Sequence, residues 1–343
     1  MKKLQETLYI LTPESYLFHR NENICVSIGG EERVSVPASR VDSIVLFGKN
    51  TFSTSLIGFC GEQGISVAFL DANGRFLGRV CGPVSGNVLL RKRQYERLND
   101  ARFSQSVALN MLCGKFANSK NVLLRHARNA KERSEDRSQR LLQAANRLSA
   151  YARQLTECAD MDAMRGVEGV AASAYFACFD DMLECPQGYV FQTRSRRPPA
   201  NEVNAVLSFT YTLLTHRMVA ALESVGLDPA AGYMHALRPG RPSFALDLME
   251  ELRGPMCDRF VLTLFRRKQL SANQFENSEE AVYLNEKGRR TVLSAWQKRK
   301  GEAIDHPFIG EKVQIGLIPY AQAMLFARLL RGDLDCYPPF VWR

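Results

Sequence analysis

Apolar residues recur at every second position early in the chain. Ile24, Val26 and Ile28 alternate with polar neighbours, Gly29-Gly30 interrupts them, and Val34 and Val36 resume the alternation. A period of two places successive side chains on opposite faces of a strand, so the stretch from Leu8 to about Val80 is expected to be β-rich. Within it, "ISVAFLDANGRFLGRV" predicts a hairpin, because Asn73-Gly74 tolerates the positive φ of a type I′ turn. From Arg91 the spacing changes. The run "RKRQYERLNDARFSQSVALNMLCGKFANSKNVLLRHARNAK" sets leucines and valines three and four apart without a proline, which predicts helix. Gly82, Pro83 and Gly86 cluster between the two textures. The expected organisation is α+β, with a β-rich unit over residues 1–88 and a mostly α-helical unit over residues 89–343.

Inside the helical part, Glu184–Glu202 reads as a proline- and arginine-bearing loop, and "SANQFENSEEAVYLNEKG" (Ser271–Gly288) as a polar, mobile one. Met161–Leu183 predicts one helix in which Gly166 and Gly169 bracket Glu168. Each such glycine costs about 1 kcal/mol relative to alanine, so the pair suggests close approach by another backbone or a ligand. A tight helix crossing beside an exposed Glu168 reads the same pattern. In "MHALRPGRPSFALDLMEELRGP" (Met234–Pro255), Pro239 and Pro242 precede Ser243 as an expected N-cap. Ala245, Leu248, Met249 and Leu252 then form an apolar stripe, with Asp247, Glu250 and Glu251 grouped away from it. On spacing alone these carboxylates form a solvated acidic face. The sharper alternative is half a metal site, with His235 folding back over the helix.

Composition narrows the class. At 343 residues with 45% hydrophobic and 24% charged content, the chain can bury two cores. A net charge of +9 favours an anionic partner, nucleic acid before membrane. Nine scattered cysteines without a CxxC pair fit reduced thiols in a cytoplasm rather than a disulfide framework or zinc ribbon. The N-terminus lacks the apolar run and cleavage site of a leader, and the best candidate span, "AVLSFTYTLLTHRMVAAL", contains His216 and Arg217, so no membrane is expected. No GxxxxGK[ST] phosphate loop occurs. His19, His126, His216 and His306 have no acidic or histidine neighbour at ligand spacing and read as packing or surface residues; Tyr175 and Tyr211 read as core.

Three stretches in order, "GVEGVAASAYF", "RRPPANEVNAVLSFTYTLL" and "MHALRPGRPSFALDLMEELRGPMCDRFVL", resemble the CRISPR-associated endonuclease/integrase family of spacer acquisition, the Cas-one family. The resemblance covers nearly the whole chain, and the tail "LIPYAQAMLFARLLRGDLDCYPPFVW" looks most like its subtype I-C branch. It implies a divalent-metal site, Mn²⁺ or Mg²⁺, on Glu168, His235 and Glu250, with Asp247 as a fourth or water-mediated ligand. Carboxylates are hard oxygen ligands, and an imidazole shifts preference towards Mn²⁺. The activity implied is cutting of DNA and joining of the 3′ ends of short duplexes to a repeat by transesterification. The partners implied are double-stranded DNA, a second copy of the chain through the β-rich unit, the small Cas-two subunit in a heterohexamer, and an accessory end-trimming nuclease.

Arg238 and Arg241, flanking Gly240, are placed to clamp a phosphate, and Arg266, Arg267 and Lys268 form a second DNA-binding candidate. The stripe Lys115–Arg140, with Arg125, Arg128 and Lys131, reads as a solvated face because Glu132, Glu135 and Asp136 interrupt it. "RSRRPP" (Arg194–Pro199) reads equally as DNA contact or basic turn. Asp258-Arg259 resembles a family position and reads equally as an ion pair between helices. Against the enzyme stands a non-catalytic, basic, dimeric DNA-binding scaffold whose acidic helix is only a wet surface.

Overall fold

The computed structural model describes residues 5–80, 82, 87–185, 187–195, 198–279 and 281–342. Pro83 and Gly86 of the expected boundary, and Arg196 and Arg197 of the basic loop, lie outside the described residues. The chain begins with β1 (Glu6–Ile10), β2 (Tyr16–Arg20), β3 (Asn23–Ile28), β4 (Glu31–Pro37), β5 (Val41–Phe47), β6 (Thr51–Phe52), helix α1 (Thr54–Gln63), β7 (Ser66–Leu70) and β8 (Phe76–Val80). Two four-stranded sheets result, in the orders β1-β5-β7-β8 and β4-β3-β2-β6. Leu17, Ile24, Ile44, Leu46, Leu56 and Val67 bury a small core of their own. The alternate residues of the first sheet, Val45, Phe47 and Leu70, join the larger helical core instead, and the Phe47 ring lies 5.8 Å from that of Phe209. Both faces of β5 are therefore buried, which is why its alternation is apolar on both sides.

The hairpin at "DANG" forms, but its loop differs from a two-residue turn. Val67 and Leu70 pair with Val80 and Phe76, leaving Asp71–Arg75 as the connection. The Asp71 carboxylate accepts from the backbone N–H groups of Asn73 and Arg75, and Gly74 takes φ 84°. An Asx loop has replaced the type I′ turn because the aspartate side chain offers the backbone its own acceptor.

Helices follow: α2 (Val88–Leu98), α3 (Ala101–Ala130), α4 (Glu135–Gln154), α5 (Met161–Phe176), α6 (Phe179–Leu183), α7 (Glu202–Ser224), α8 (Ser243–Leu252), α9 (Arg259–Arg266), α10 (Glu286–Gly301) and α11 (Ile318–Arg331). Asp100, Asp160 and Asn201 cap α3, α5 and α7 by accepting from the third following N–H group. The expected single helix Met161–Leu183 breaks after Phe176, so α6 turns independently. The expected mobile loop at 271–288 holds a hairpin of β9 (Phe275–Asn277) and β10 (Val282–Leu284), entered through a Ser271–Gln274 capping box. A second short pair, β11 (Ala303–Asp305) with β12 (Lys312–Gln314), precedes α11. Among the described residues, α7 is the one helix long and apolar enough by length and composition to cross a membrane. Here it is a core helix, with Val203, Val206, Leu207, Leu214, Met218 and Leu222 buried.

Candidate functional site

Helix α8 does not present a solvated acidic face. Asp247, Glu250 and Glu251 are 0%, 4% and 0% exposed, because α3, α7 and α11 enclose the helix. A buried carboxylate must find donors, and each of the three finds a different set. Glu251 turns towards the C-terminal segment, accepting from Gln322 Nε2 and Tyr337 OH at 2.7 Å each and from the Phe340 N–H at 3.0 Å. Burial pushes its carboxyl up to about 8 against those three donors, which pull it down. Ser243, expected as an N-cap, is the first helical residue and donates instead to the Ala236 carbonyl, holding the upstream loop over the helix start.

Asp247 organises that loop. Its Oδ2 accepts from the N–H groups of Tyr233 (2.7 Å) and Met234 (3.0 Å), and its Oδ1 from the His235 N–H (2.9 Å) and ring Nδ1 (2.6 Å). With Nδ1 donating, Nε2 keeps its lone pair and lies 4.0 Å from Glu250 Oε1. The loop can come this close only because residue 232 is glycine: a Cβ there would meet Ser243 carbon at 2.7 Å and Asp247 Oδ2 at 2.8 Å.

Glu250 faces three partners. Arg253 Nη2, one turn on, is 2.9 Å from Oε1, and Lys115 Nζ is 2.7 Å from Oε2. Burial would raise the Glu250 carboxyl, but Arg253 and then Lys115 outweigh it and hold the group at about 2. Lys115 also pairs with Glu168 Oε1 on α5. Gly114 allows that placement: its position lets α3 press on α8, since a Cβ would lie 2.8 Å from Pro339 Cβ and 3.1 Å from Glu251 Oε2. Arg165, one turn before Glu168, donates to the Met234 carbonyl through Nε (2.9 Å) and Nη2 (2.6 Å), tying α5 to the His235 loop.

Glu168, His235 and Glu250, far apart in sequence, are thus brought around one spot, with Asp247 behind His235 and both its oxygens engaged. Gly166 and Gly169 do not serve a helix crossing: a Cβ at either meets nothing within 4 Å, so the α5 surface beside Glu168 is open. As placed, no three His, Cys, Asp or Glu side chains among the described residues stand close enough to share one ion, because the Lys115 ammonium lies between the two glutamates. The donor set nevertheless suits a hard divalent cation. It comprises two carboxylates and an oriented imidazole, and the only partner of Glu250 Oε2 among the described residues is the Lys115 ammonium.

Of the basic candidates, Arg238 is exposed and Arg241 half-buried on the loop that joins His235 to α8. Arg266, Arg267 and Lys268 are exposed at the far end of α9. A continuous helical run through a π-helical segment (Arg253–Asp258) separates them from Glu250 by about 24 Å at 1.5 Å per residue. Arg125 and Arg128 are exposed on α3 and Lys131 just past its end. Asp258 is not ion-paired with Arg259. It accepts from Tyr175 (3.0 Å) and Tyr211 (2.7 Å), while Arg259 lies over the Trp342 ring at 4.5 Å. Both tyrosines are core residues with a polar task, since Arg253 and Arg194 also stack on Tyr211. His19 stacks on Phe59, His216 packs against Phe76 and His306 bonds Gln322. Pattern reading missed Lys115 and Arg253. Arg253 had a signal in its i+3 spacing from Glu250; Lys115 had none, being 53 residues from Glu168.

A β-rich unit ahead of a helical unit that draws carboxylates and a histidine together defines an α+β class of protein. Residues 8–298 match the family described as CRISPR associated protein Cas1, and the chain belongs to that family. A relative from Chlorobaculum tepidum, named CRISPR-associated endonuclease Cas1 1, is 44% identical over 345 residues, covering all of both chains. Two solved structures share the fold. A Cas6-RT-Cas1–Cas2 complex matches with a TM-score of 0.83 at 20% identity, over 100% of this chain and 36% of that one. A casposase bound to integration product matches with 0.82 at 21% identity, over 96% of this chain and 92% of that one.

Proposed function

We propose that the chain is a divalent-metal-dependent DNA endonuclease and strand-transferase that inserts short duplexes into a CRISPR array, using Glu168, His235 and Glu250 as metal ligands. The observation that carries this reading is that Glu168 and Glu250 meet on Lys115 while His235 Nε2 lies 4.0 Å from Glu250 Oε1. A bound Mn²⁺ or Mg²⁺ would neutralise charge on the attacked phosphate and lower the pKa of the attacking hydroxyl. The protein's own groups do the rest. Asp247 fixes the imidazole so that Nε2 faces inward, Arg253 keeps Glu250 ionised, and Arg238 and Arg241 offer guanidinium groups to a DNA phosphate at the mouth. The open α5 face at Gly166 and Gly169 leaves room for a DNA backbone beside Glu168.

DNA as substrate and a Cas2-type subunit as partner are supported by the neighbours named as bound to integration product and as a Cas1–Cas2 complex; that the DNA is double-stranded rests on the sequence resemblance. A homodimer through the β-rich unit, a heterohexameric assembly, an end-trimming accessory nuclease and the subtype I-C assignment rest on the sequence resemblance. Burial of all three α8 carboxylates counts against the wet acidic face on which the scaffold reading drew.

The test incubates a labelled duplex bearing free 3′-hydroxyls with the purified protein, its small partner and a supercoiled repeat-bearing plasmid, in Mn²⁺, Mg²⁺ or EDTA. Label transfer should require metal and fall at least about a hundredfold in Glu168→Ala and His235→Ala, with duplex binding measured in EDTA nearly unchanged. Transfer at the wild-type rate by either variant would overturn the assignment.

A further inference from the structure

The carboxylates that face the candidate centre are already balanced by the protein's own cations. Glu168 and Glu250 bring two negative charges; Lys115, touching both, and Arg253, 2.9 Å from Glu250, bring two positive ones. All but Glu168 are well shielded, with side-chain exposures of 4% for Glu250, 14% for Lys115 and 18% for Arg253. Asp247 adds a charge behind the imidazole, but three backbone N–H groups and Nδ1 already share it. A divalent cation arriving here meets an ammonium standing between its two anionic ligands. Its binding must displace Lys115 from both and leave surplus positive charge in a site largely closed to water, where unpaired charge is costly. A phosphodiester arriving alone meets carboxylates whose charge is taken, with Lys115 and Arg253 already engaged by them. Arriving together, the two ligands satisfy each other: the cation takes the carboxylates, and the released ammonium and the cation share the phosphate.

We infer that Lys115 is a resident counter-ion of the candidate metal ligands, and that it makes divalent-cation binding and phosphodiester binding at this centre mutually dependent. This inference rests on the metal-dependent reading proposed above. It assigns Lys115 a positioning role, holding Glu168 and Glu250 together before the ligands arrive. Because coupling between two binding events is reciprocal, DNA should tighten the metal by the same factor by which the metal tightens DNA.

The experiment measures Mn²⁺ binding to the full chain from the electron paramagnetic resonance signal of free Mn²⁺. It is run with and without a saturating short duplex whose 3′ ends lack hydroxyls, so that no joining occurs. In the wild type the duplex should lower the Kd for Mn²⁺ by about tenfold or more, and Mn²⁺ should lower the Kd for duplex equally. Lys115→Met should bind Mn²⁺ without DNA about tenfold more tightly than wild type, show a smaller effect of duplex, and melt at a lower temperature when metal-free. Lys115→Arg, which keeps the charge, should retain the coupling. A wild-type Kd for Mn²⁺ indifferent to duplex overturns the inference while leaving the metal site standing, and that measurement does not depend on any variant folding. Lys115→Met binding Mn²⁺ no more tightly than wild type also overturns it. Absence of Mn²⁺ binding with and without duplex removes both the inference and the reading beneath it.

Discussion

His126 illustrates what single residues can hide. It is 7% exposed, its Nδ1 has no hydrogen-bond partner, and burial, followed by repulsion from Arg266 and Arg125, pushes its imidazolium down to about 4. Its unfolded value is near 6.5, so between pH 6.5 and pH 4 the unfolded chain binds the extra proton and the folded one refuses it. Stability from this residue is therefore complete above pH 6.5 and lost as pH falls through that window. Chemical denaturation at pH 7.5 and at pH 5.5 should show the wild type losing on the order of 1 kcal/mol more than His126→Phe. Equal losses would mean the ring is protonated in the fold. His216, pushed down to about 4 by burial and then by Arg79, steepens the same limb in both proteins. At this scale the sequence was a fair guide to these two histidines as packing groups, but it could not announce their cost.

Elements show where pattern reading reached and where it stopped. Alternation found the strands and three-to-four spacing found the helices, because both report on one face being buried. The acidic face of α8 defeated the same logic: a helix enclosed on all sides looks amphipathic in sequence when its polar groups are satisfied by specific partners, and those partners lie on distant segments. Only the family resemblance named Glu168, His235 and Glu250 together, and neither route could place Lys115, whose position depends on how α3 crosses α8. Glycines make that crossing testable. Gly114→Ala inserts a methyl group 2.8 Å from Pro339 Cβ, so it should cost about 1–3 kcal/mol as α3 shifts away from α8. Gly169→Ala meets nothing and should raise stability by about 0.5–1 kcal/mol while weakening DNA binding, if DNA lies along α5. Denaturation midpoints and duplex titrations on the two variants decide both points; a neutral Gly114→Ala would mean that the helices can separate freely.

In the whole molecule, the sheet containing β5 divides two cores and belongs to each. Ile44 and Leu46 fill the small one, and Val45 and Phe47 the large one. Phe47→Ala should accordingly cost about 3–5 kcal/mol, a core-sized loss from a residue in the β-rich unit. It should also loosen the protection of α7 amides against hydrogen exchange, because the ring packs on Phe209. Protection lost only in the strands would mean that the two units are energetically separate.

The same two-sided strand bears on how the protein could be taken apart. A protease or an engineer cutting between β8 and α2 would sever one peptide link, yet pulling the halves apart would also strip a greasy wall bare, since Val45, Phe47 and Leu70 are buried in the helical core. The halves are partners by covalent tether and by shared oil. Separated, the strand half would seek a substitute lid from another copy of itself, and its natural fate is a precipitate.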